Sequence, residues 1–158
     1  MLSENDIRKI FEERGVLKQF GVKKEIKDLP EHIDDQGGEI ILYACDGLTD
    51  GNTWLMVCTN KKLLFLDKGM IYGLKKIEIP IKKINSTSFK SGIVLGRIII
   101  YHGSSSITVD NIDKSALQPM VDAINSALKK IEENQFSFNN NIQPISDDKL
   151  NTIIEQNH

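Results

Sequence analysis

The sequence has little of what marks a specialised chain: two cysteines, 6% aromatic residues and a formal net charge of −2. A nearly neutral chain lacks the overall basicity of a non-specific nucleic-acid binder, so we expect no nucleic-acid partner. No apolar run approaches the roughly 20 residues that cross a bilayer. The first residues are charged and lack the apolar stretch of a signal peptide, which predicts a cytoplasmic protein.

The cysteines, Cys45 and Cys58, are not spaced as a CxxC motif. If residues 39–46 pair with residues 51–58 around a turn at 47–50, the two thiols lie about six residues apart along the sheet. That separation is roughly 20 Å at ~3.3 Å per residue, which is beyond the reach of a disulfide. We therefore predict two buried, reduced thiols, as in a reducing compartment.

No group of residues suggests a reaction. The three histidines do not accompany a serine or cysteine in a nucleophile motif, and GxSxG is absent. His32 with Asp34 and Asp35 could be read as a metal site, but this spacing suits neither one strand face nor one helix face, which favours a solvated loop. The glycines of residues 91–96 lack the lysine and Ser/Thr of a phosphate loop. We predict a protein that is not an enzyme, with no cofactor and no metal.

The N-terminal third predicts helices. Ser3 can cap a helix over residues 3–14, with Asp6 at the capping-box position and Gly15 at the end. Its narrow apolar face consists of Ile7, Ile10 and Phe11. Residues 16–36 predict one or two short helices, the second ending near residues 34–35.

From residue 39 the apolar spacing indicates short strands. The predicted strands are 39–46, 53–59, 62–67, 70–80, 82–89, 95–102 and 105–112. Asn60 lies in the second turn, where we expect a residue with positive φ. Pro80 cannot donate a ladder hydrogen bond and so marks an edge or a bulge. Seven short strands with tight turns favour a curled antiparallel barrel or sandwich.

A helix over residues 115–131 would close one end of this barrel with a broad apolar stripe. Ser115 with Gln118 fits a capping box. The Asn-rich segment 134–145 predicts a linker, and residues 146–156 predict a last short helix. The predicted parts are therefore a helical extension (1–36), a barrel with its capping helix (37–133), and a linker with a short helix (134–158).

Three segments carry a family resemblance: WLMVCTNKKLLFLDKG (54–69), IEIPIKKINSTS (77–88) and GRIIIY (96–101). The sequence resembles the bacterial pleckstrin-homology (PH) domain family, particularly its YokE-like group, in which a T-N-K/R-hydrophobic hairpin precedes a lysine-rich strand reading I-x-x-I-x-S. The segment 25–43 is similar to the family's lead-in to the first strand. The resemblance covers about residues 23–131. It implies a mainly β (α+β), seven-stranded, partly open antiparallel barrel capped by a C-terminal helix, which self-associates, possibly into a ring.

Lysines are concentrated in the middle of the chain. Read functionally, they form a candidate patch for an anionic membrane or an acidic partner. Read structurally, they decorate exposed strands and blunt sheet edges, which we favour because adjacent lysines on a strand point to opposite faces. The candidate patch consists of Lys61, Lys62, Lys75, Lys76, Lys82, Lys83 and Lys90.

In eukaryotic PH domains, basic residues at the end of the first strand and the start of the second flank a loop that binds phosphoinositides. The corresponding residues 43–52 carry two acids and no base. An acidic loop repels an inositol phosphate, so the resemblance does not extend to this activity.

We predict an interaction or assembly module that forms a homo-oligomer or binds another protein. The strand before Pro80 and the strand 82–89 are candidate edges for pairing between subunits. Candidate contact residues are Ile7, Ile10, Phe11, Phe136, Phe138, Leu150, Ile153 and Ile154. The alternative hypothesis is peripheral binding of anionic membrane lipid through the lysine-rich strands 61–90.

Overall fold

A computed structural model describes residues 1–16, 25–69 and 73–141 of the chain. Two α-helices, α1 (Glu4–Glu13) and α2 (Lys114–Asn141), flank a set of β-strands, and short 3₁₀ turns occur at Leu29–His32 and Ile81–Lys83. The strands are β1 (Ile41–Thr49), β2 (Asn52–Thr59), β3 (Lys62–Gly69), β4 (Gly73–Pro80), β5 (Ile84–Ser91), β6 (Leu95–His102) and β7 (Ser105–Asp113). Residues 1–128 form one compact unit, and residues 129–158 form a second.

The seven strands form one antiparallel sheet in the order β4-β3-β2-β1-β7-β6-β5. β1 meets β7 at Leu48 and Asp110, which joins the two halves of the sheet. The sheet is open, and its two edges are β4 and β5. The predicted fold class is confirmed, including the two strands predicted as edges.

The first hairpin differs from the prediction in register. β1 continues to Thr49, and the turn consists only of Asp50 and Gly51, whose φ angles are 51° and 74°. Positive φ at both positions is what a two-residue hairpin turn requires, and Asp-Gly supplies it readily. The predicted turn at 47–50 is therefore wrong, because Gly47 and Leu48 remain in the strand.

The new register brings the cysteines closer together than predicted. Cys45 pairs with Met56, and Cys58 pairs with Tyr43, so the thiols lie two register positions apart and not six. Both are buried and free, as predicted, although the reasoning from a 20 Å separation was wrong. Burial raises the pKa of both thiols, that of Cys58 to about 12, so neither is a reactive thiolate near neutral pH.

The second turn also differs from the prediction, because the φ angle of Asn60 is not positive. The Asn60 side chain instead acts as a partner for the chain that leads into β1. Its Oδ1 accepts from the Ile40 N–H at 2.8 Å, and its Nδ2 donates to the Gly38 carbonyl at 3.0 Å. Asparagine is used here for its amide and not for its backbone freedom.

The central residues of β2 and β3 are covered on both faces. Residues 54–59 of β2 are buried without interruption, whereas β6 alternates between buried and exposed residues over most of its length. Uninterrupted burial means that neither face of a strand meets water. Helix α1 contacts β1 and the Leu29–His32 turn, and its Ile7 and Phe11 are fully buried. We infer that the N-terminal segment covers one face of this half of the sheet.

Helix α1 begins and ends as predicted. The Ser3 Oγ accepts from the Asp6 N–H at 3.2 Å, and the Asp6 carboxylate accepts from the Ser3 N–H at 2.7 Å. The Ser3 hydroxyl also donates to the Asp6 carboxylate at 2.7 Å. This bond first, and then the bond from the Ser3 N–H, lower the pKa of Asp6, because both favour the charged carboxylate. Gly15 follows the helix with a φ of 74°. Of the predicted second region, only residues 25–36 and Val16 are described, and within residues 25–36 the helical segment is the short 3₁₀ helix Leu29–His32.

Helix α2 is longer than predicted and is capped differently. It runs to Asn141, so the linker predicted from residue 134 is wrong over its first eight positions; no glycine or proline interrupts residues 132–141. The Asp113 carboxylate accepts from the Ser115 N–H at 2.8 Å and from the Ser115 hydroxyl, while Gln118 donates to Asp122. The predicted Ser115–Gln118 capping box is therefore wrong. The helix predicted at 146–156 lies outside the described residues.

The apolar stripe of α2 is buried between residues 116 and 127. Gly96 of β6 lies against Leu117 so closely that a Cβ at position 96 would be 2.7 Å from the leucine Cδ2. Across residues 1–16, 25–69 and 73–141, no helix is both long and apolar enough to cross a membrane.

Candidate functional site

Lys62, a member of the predicted cationic patch, is used within the chain. Its Nζ lies 3.5 Å from the buried Glu39 carboxylate and 3.4 Å from Glu78, and it donates to the His32 carbonyl at 2.6 Å. The side chain is only 19% exposed. Lys62 therefore fastens the N-terminal segment to β3 and β4, and it has little charge left for a ligand.

Two more lysines of the patch are also occupied. Lys61 donates to the Gly37 carbonyl at 2.7 Å, and the Nζ of Lys76 lies 3.4 Å from Glu78. The charges of Lys62 and Lys76 lower the pKa of Glu78 against the opposing effect of desolvation. The lysines on this side of the sheet therefore balance local acids.

The remaining patch lysines lie at three separate places in the sheet. Lys75 is exposed opposite Asp67 of β3. Lys82 and Lys83 lie in the 3₁₀ turn before β5 and not in the predicted strand, whereas Lys90 lies near the far end of β5. The structure does not bring the seven lysines together into one surface.

His32 lies in a small cavity beside this charge network. Its Nε2 is buried with no hydrogen-bond partner. Desolvation, followed by the charge of Lys76, lowers the pKa of His32, so the ring is neutral near pH 7. The neighbouring Asp34 carboxylate accepts from the Gly37 N–H at 2.9 Å, as in an ordinary loop turn. In the described part of the chain, no three His, Cys, Asp or Glu residues lie close enough to hold a metal ion.

The end of the sheet formed by the β1–β2 turn is acidic. An open cleft of about 570 Å³ lies between this turn and β7, and its lining includes Asp50, His102 and Asp110 but neither lysine nor arginine. Asp46, the other acid of this region, is half-buried within β1, where desolvation and the charge of Glu25 raise its pKa to about 7. The cleft has the wrong sign of charge for a phosphate group, in agreement with the sequence argument.

The predicted apolar contact residues have different environments. Ile7 and Phe11 are fully buried in the chain's own core, so a partner could reach them only if α1 moved, whereas Ile10 is half-buried. Phe136 and Phe138 are each 69% exposed on the last turns of α2. Leu150, Ile153 and Ile154 lie outside the described residues.

The two edges of the sheet differ in side-chain character. β4 carries Lys75, Lys76 and Glu78 and ends at Pro80, which are features that discourage pairing with another strand. β5 reads INSTSFKS, with Lys90 as its one charged residue and no proline. Phe89 on β5 remains 46% exposed. Only β5 is an edge without these protections.

The turn between β5 and β6 exposes a group of apolar side chains that the sequence reasoning missed. Ile93 is 94% exposed, Val94 is 67% exposed and Leu95 is 45% exposed. We call residues 92–95 the β5–β6 tip. The available signal was three consecutive apolar residues directly after the Ser91-Gly92 break, but such a run also fits a buried strand.

One family model and two solved structures are similar to parts of this chain. The family model described as "Bacterial PH domain" matches residues 36–126. A pleckstrin homology domain from Shewanella amazonensis SB2B is 18% identical, covering 63% of this chain and 94% of that chain, with a TM-score of 0.46. A DUF1696 family protein with a pleckstrin-homology domain from Shewanella loihica PV-4 is 14% identical, covering 70% and 95%, with a TM-score of 0.49. No curated protein matches.

The family match is the stronger of these findings, because it extends over more than half of the chain. Residues 36–126 contain all seven strands and the first part of α2, which are the elements that form the sheet and its helix. The chain belongs to the bacterial PH domain family.

Proposed function

We propose that the protein is a non-enzymatic interaction module that self-associates, and that β5 is the strand through which copies pair. The observation that carries this proposal is the eight-residue open edge of β5, which lacks proline and has one charged residue. A strand at a sheet edge presents N–H and C=O groups on one side that another strand can bind.

The side chains along this edge add apolar surface to the backbone groups. Phe89 on β5 is 46% exposed, and Tyr101, which lies opposite Ser86 in the ladder, is 40% exposed. Aromatic residues are enriched where protein interfaces are buried. The two rings lie on opposite faces of the sheet, so a second copy that pairs along β5 would contact Phe89 beside the new strand and Tyr101 from the other face.

The choice of partner strand determines the size of the assembly. Pairing of β5 with the same strand of a second copy is self-complementary and stops at a dimer. Pairing of β5 with β4 of the next copy is head-to-tail and closes only as a ring. Lys75 and Pro80 discourage another strand from pairing with β4, so we propose the dimer. A mass larger than that of a dimer would indicate the ring.

The test is the mass of the full chain at tens of micromolar by light scattering after size-exclusion chromatography. The double variant Ser86→Lys/Ser88→Lys places charges at two exposed positions of the edge strand, and we expect association at least tenfold weaker, or about 1.4 kcal/mol. The control is Ser104→Lys/Ser105→Lys, which adds the same charge at two exposed serines of the β6–β7 turn and leaves the neighbours of Tyr101 unchanged. A monomeric wild type, or equal masses for the two variants, would contradict the proposal.

The alternative, lipid binding through the lysines of residues 61–90, has weaker support, because Lys61, Lys62 and Lys76 are paired within the chain.

We propose further that the chain is a YokE-like member of its family, on the basis of the TNKK turn and the IKKINS segment. Two free, buried thiols support a cytoplasmic location. We also propose that residues 1–36 are an extension of the barrel unit, which truncation would test through loss of cooperative unfolding.

A further inference from the structure

The β5–β6 tip concentrates exposed apolar surface in a short stretch of chain. Of the ten large apolar side chains that are exposed in the described residues, three are in the tip, at Ile93, Val94 and Leu95, and a fourth, Phe89, is close by on β5. Single exposed apolar residues are ordinary, but contiguous groups mark a surface that is covered in use. The tip is therefore a candidate binding surface.

The turn is built to hold these side chains outward. The Gly92 N–H donates to the Leu95 carbonyl at 2.9 Å, and the Lys114 N–H at the start of α2 donates to the Val94 carbonyl at 3.0 Å. A Cβ at position 92 would lie 2.5 Å from the Leu95 oxygen, so the turn requires glycine there. Ile93 and Val94 are thus fixed on an anchored turn, which lowers the ordering cost of binding.

Two cations lie directly behind the tip. Lys90 and Arg97 are opposite each other in the β5–β6 ladder, an arrangement that like charges disfavour. Arg97 is balanced by Asp110, whereas Lys90 has no ion pair within the described part of the chain. Both line a shallow cavity of about 290 Å³ whose other walls include Gly92, Leu95, Asn111 and the acid Asp110. A second acid, Asp113, lies opposite Leu95, and Lys114 adjoins the turn, so the cations around the tip exceed the acids by one charge.

We propose that the β5–β6 tip binds the surface of an anionic lipid bilayer. Ile93 and Val94 enter the boundary between headgroups and acyl chains, while Lys90 and Arg97 lie at the level of the lipid phosphates. An exposed apolar turn can insert into a lipid bilayer, because lipids rearrange around it and no matching groove is needed. The excess positive charge beside the turn attracts anionic headgroups. The proposal is independent of pairing through β5.

This surface is separate from the loop at which eukaryotic PH domains bind phosphoinositides. The corresponding β1–β2 turn lines a cleft with His102, whereas the tip lies at the other end of β6. Asp110 lines both this cleft and the cavity behind the tip, so the two sites have otherwise different residues but are neighbours on the sheet.

The experiment measures co-sedimentation of the full chain at low salt with vesicles of equal parts phosphatidylcholine and phosphatidylserine, and with vesicles of phosphatidylcholine alone. We expect binding to the anionic vesicles and at least a tenfold lower partition coefficient for Ile93→Ser/Val94→Ser. The matched control is Ile40→Ser/Leu74→Ser, which removes apolar side chains exposed by 58% and 37% elsewhere. Lys90→Gln should weaken binding to the anionic vesicles and leave any binding to neutral vesicles unchanged.

Three results would overturn the proposal. They are absence of binding by the wild type to the anionic vesicles at low salt, equal loss of binding for the tip variant and its control, and a tip variant that keeps vesicle binding but loses self-association. The last result would assign the tip to a contact between copies. Circular dichroism of each variant confirms that the measured loss is not a loss of folding.

Discussion

Replacement of Asp46 by asparagine should stabilise the protein at alkaline pH and have little effect at acidic pH. Asp46 lies in β1 opposite Leu55, which is 1% exposed. Desolvation first, and then the negative charge of Glu25, raise the pKa of Asp46 from 3.8 to about 7. Between these values the folded protein holds a proton that the unfolded chain has released. The contribution of Asp46 to stability therefore falls as the pH rises toward about 7, and the loss is complete above it.

The size of the effect follows from the same values. One pH unit corresponds to about 1.4 kcal/mol, so a rise from 3.8 to about 7 corresponds to roughly 4 kcal/mol. The carboxyl is only half-buried, and solvent screening reduces the expected effect to about 2 kcal/mol. Asparagine has nearly the same shape and no charge at any pH, so Asp46→Asn should gain this amount at pH 8 and less than ~0.5 kcal/mol near pH 4.5.

The assay is urea unfolding of both proteins at the two pH values, followed by the fluorescence of Trp54. This is the single tryptophan of the chain, and its Nε1 donates to the Thr49 carbonyl at 2.9 Å within the core. Asp50→Asn, at the exposed β1–β2 turn, controls for the removal of one negative charge from the same region. The reasoning would be refuted if Asp46→Asn changed stability equally at both pH values or destabilised the protein at pH 8.

Two further substitutions test contacts of β1 and of the chain that leads into it. Gly47→Ala would place a Cβ 2.1 Å from the Val109 Cγ1, so we expect the free energy of unfolding in urea to fall by about 1–3 kcal/mol. Adding Val109→Ala should restore part of this loss, and an unchanged midpoint would contradict the packing of β1 against β7. Asn60→Ala removes the hydrogen bonds to Ile40 and Gly38 and should cost about 1 kcal/mol. Asn60→Asp keeps the acceptor for Ile40 but places a carboxylate oxygen against the Gly38 carbonyl, so it should lose at least as much; a variant as stable as the wild type would contradict a role for the amide donor.

The strands and edges could be predicted because the local signals agreed with the fold. The apolar alternation of residues 95–102 gave the limits of β6 as observed, and Pro80 does lie on an edge strand. The first turn was misplaced because Gly47 reads locally as a turn residue, whereas the glycine is required there by the close approach of Val109. Helix α2 was predicted too short because asparagine has a weak helix propensity, although nothing in residues 132–141 interrupts the helix.

The candidate site was harder to predict because it depends on contacts between distant parts of the chain. Lys62 reads as an exposed turn lysine, but Glu39 and the His32 carbonyl, about 23 and 30 positions earlier, occupy its ammonium group. Conversely, Ile93 and Val94 have the composition of a core strand. Their exposure follows from the tight turn at Gly92 and its tie to α2, which no local apolar pattern encodes.

The unequal covering of the sheet has a consequence for how the protein tolerates change. The central residues of β2 and β3 are enclosed on both faces, so their amides should exchange with solvent only when the whole unit unfolds, whereas those of β5 should exchange through local fraying. Substitutions along β5 and the β5–β6 tip would then alter binding while changing the free energy of unfolding of the whole unit only slightly. The half of the sheet that determines stability is thus separate from the half that is free to vary, and a partner would be recognised by slower exchange confined to the β5–β6 hairpin.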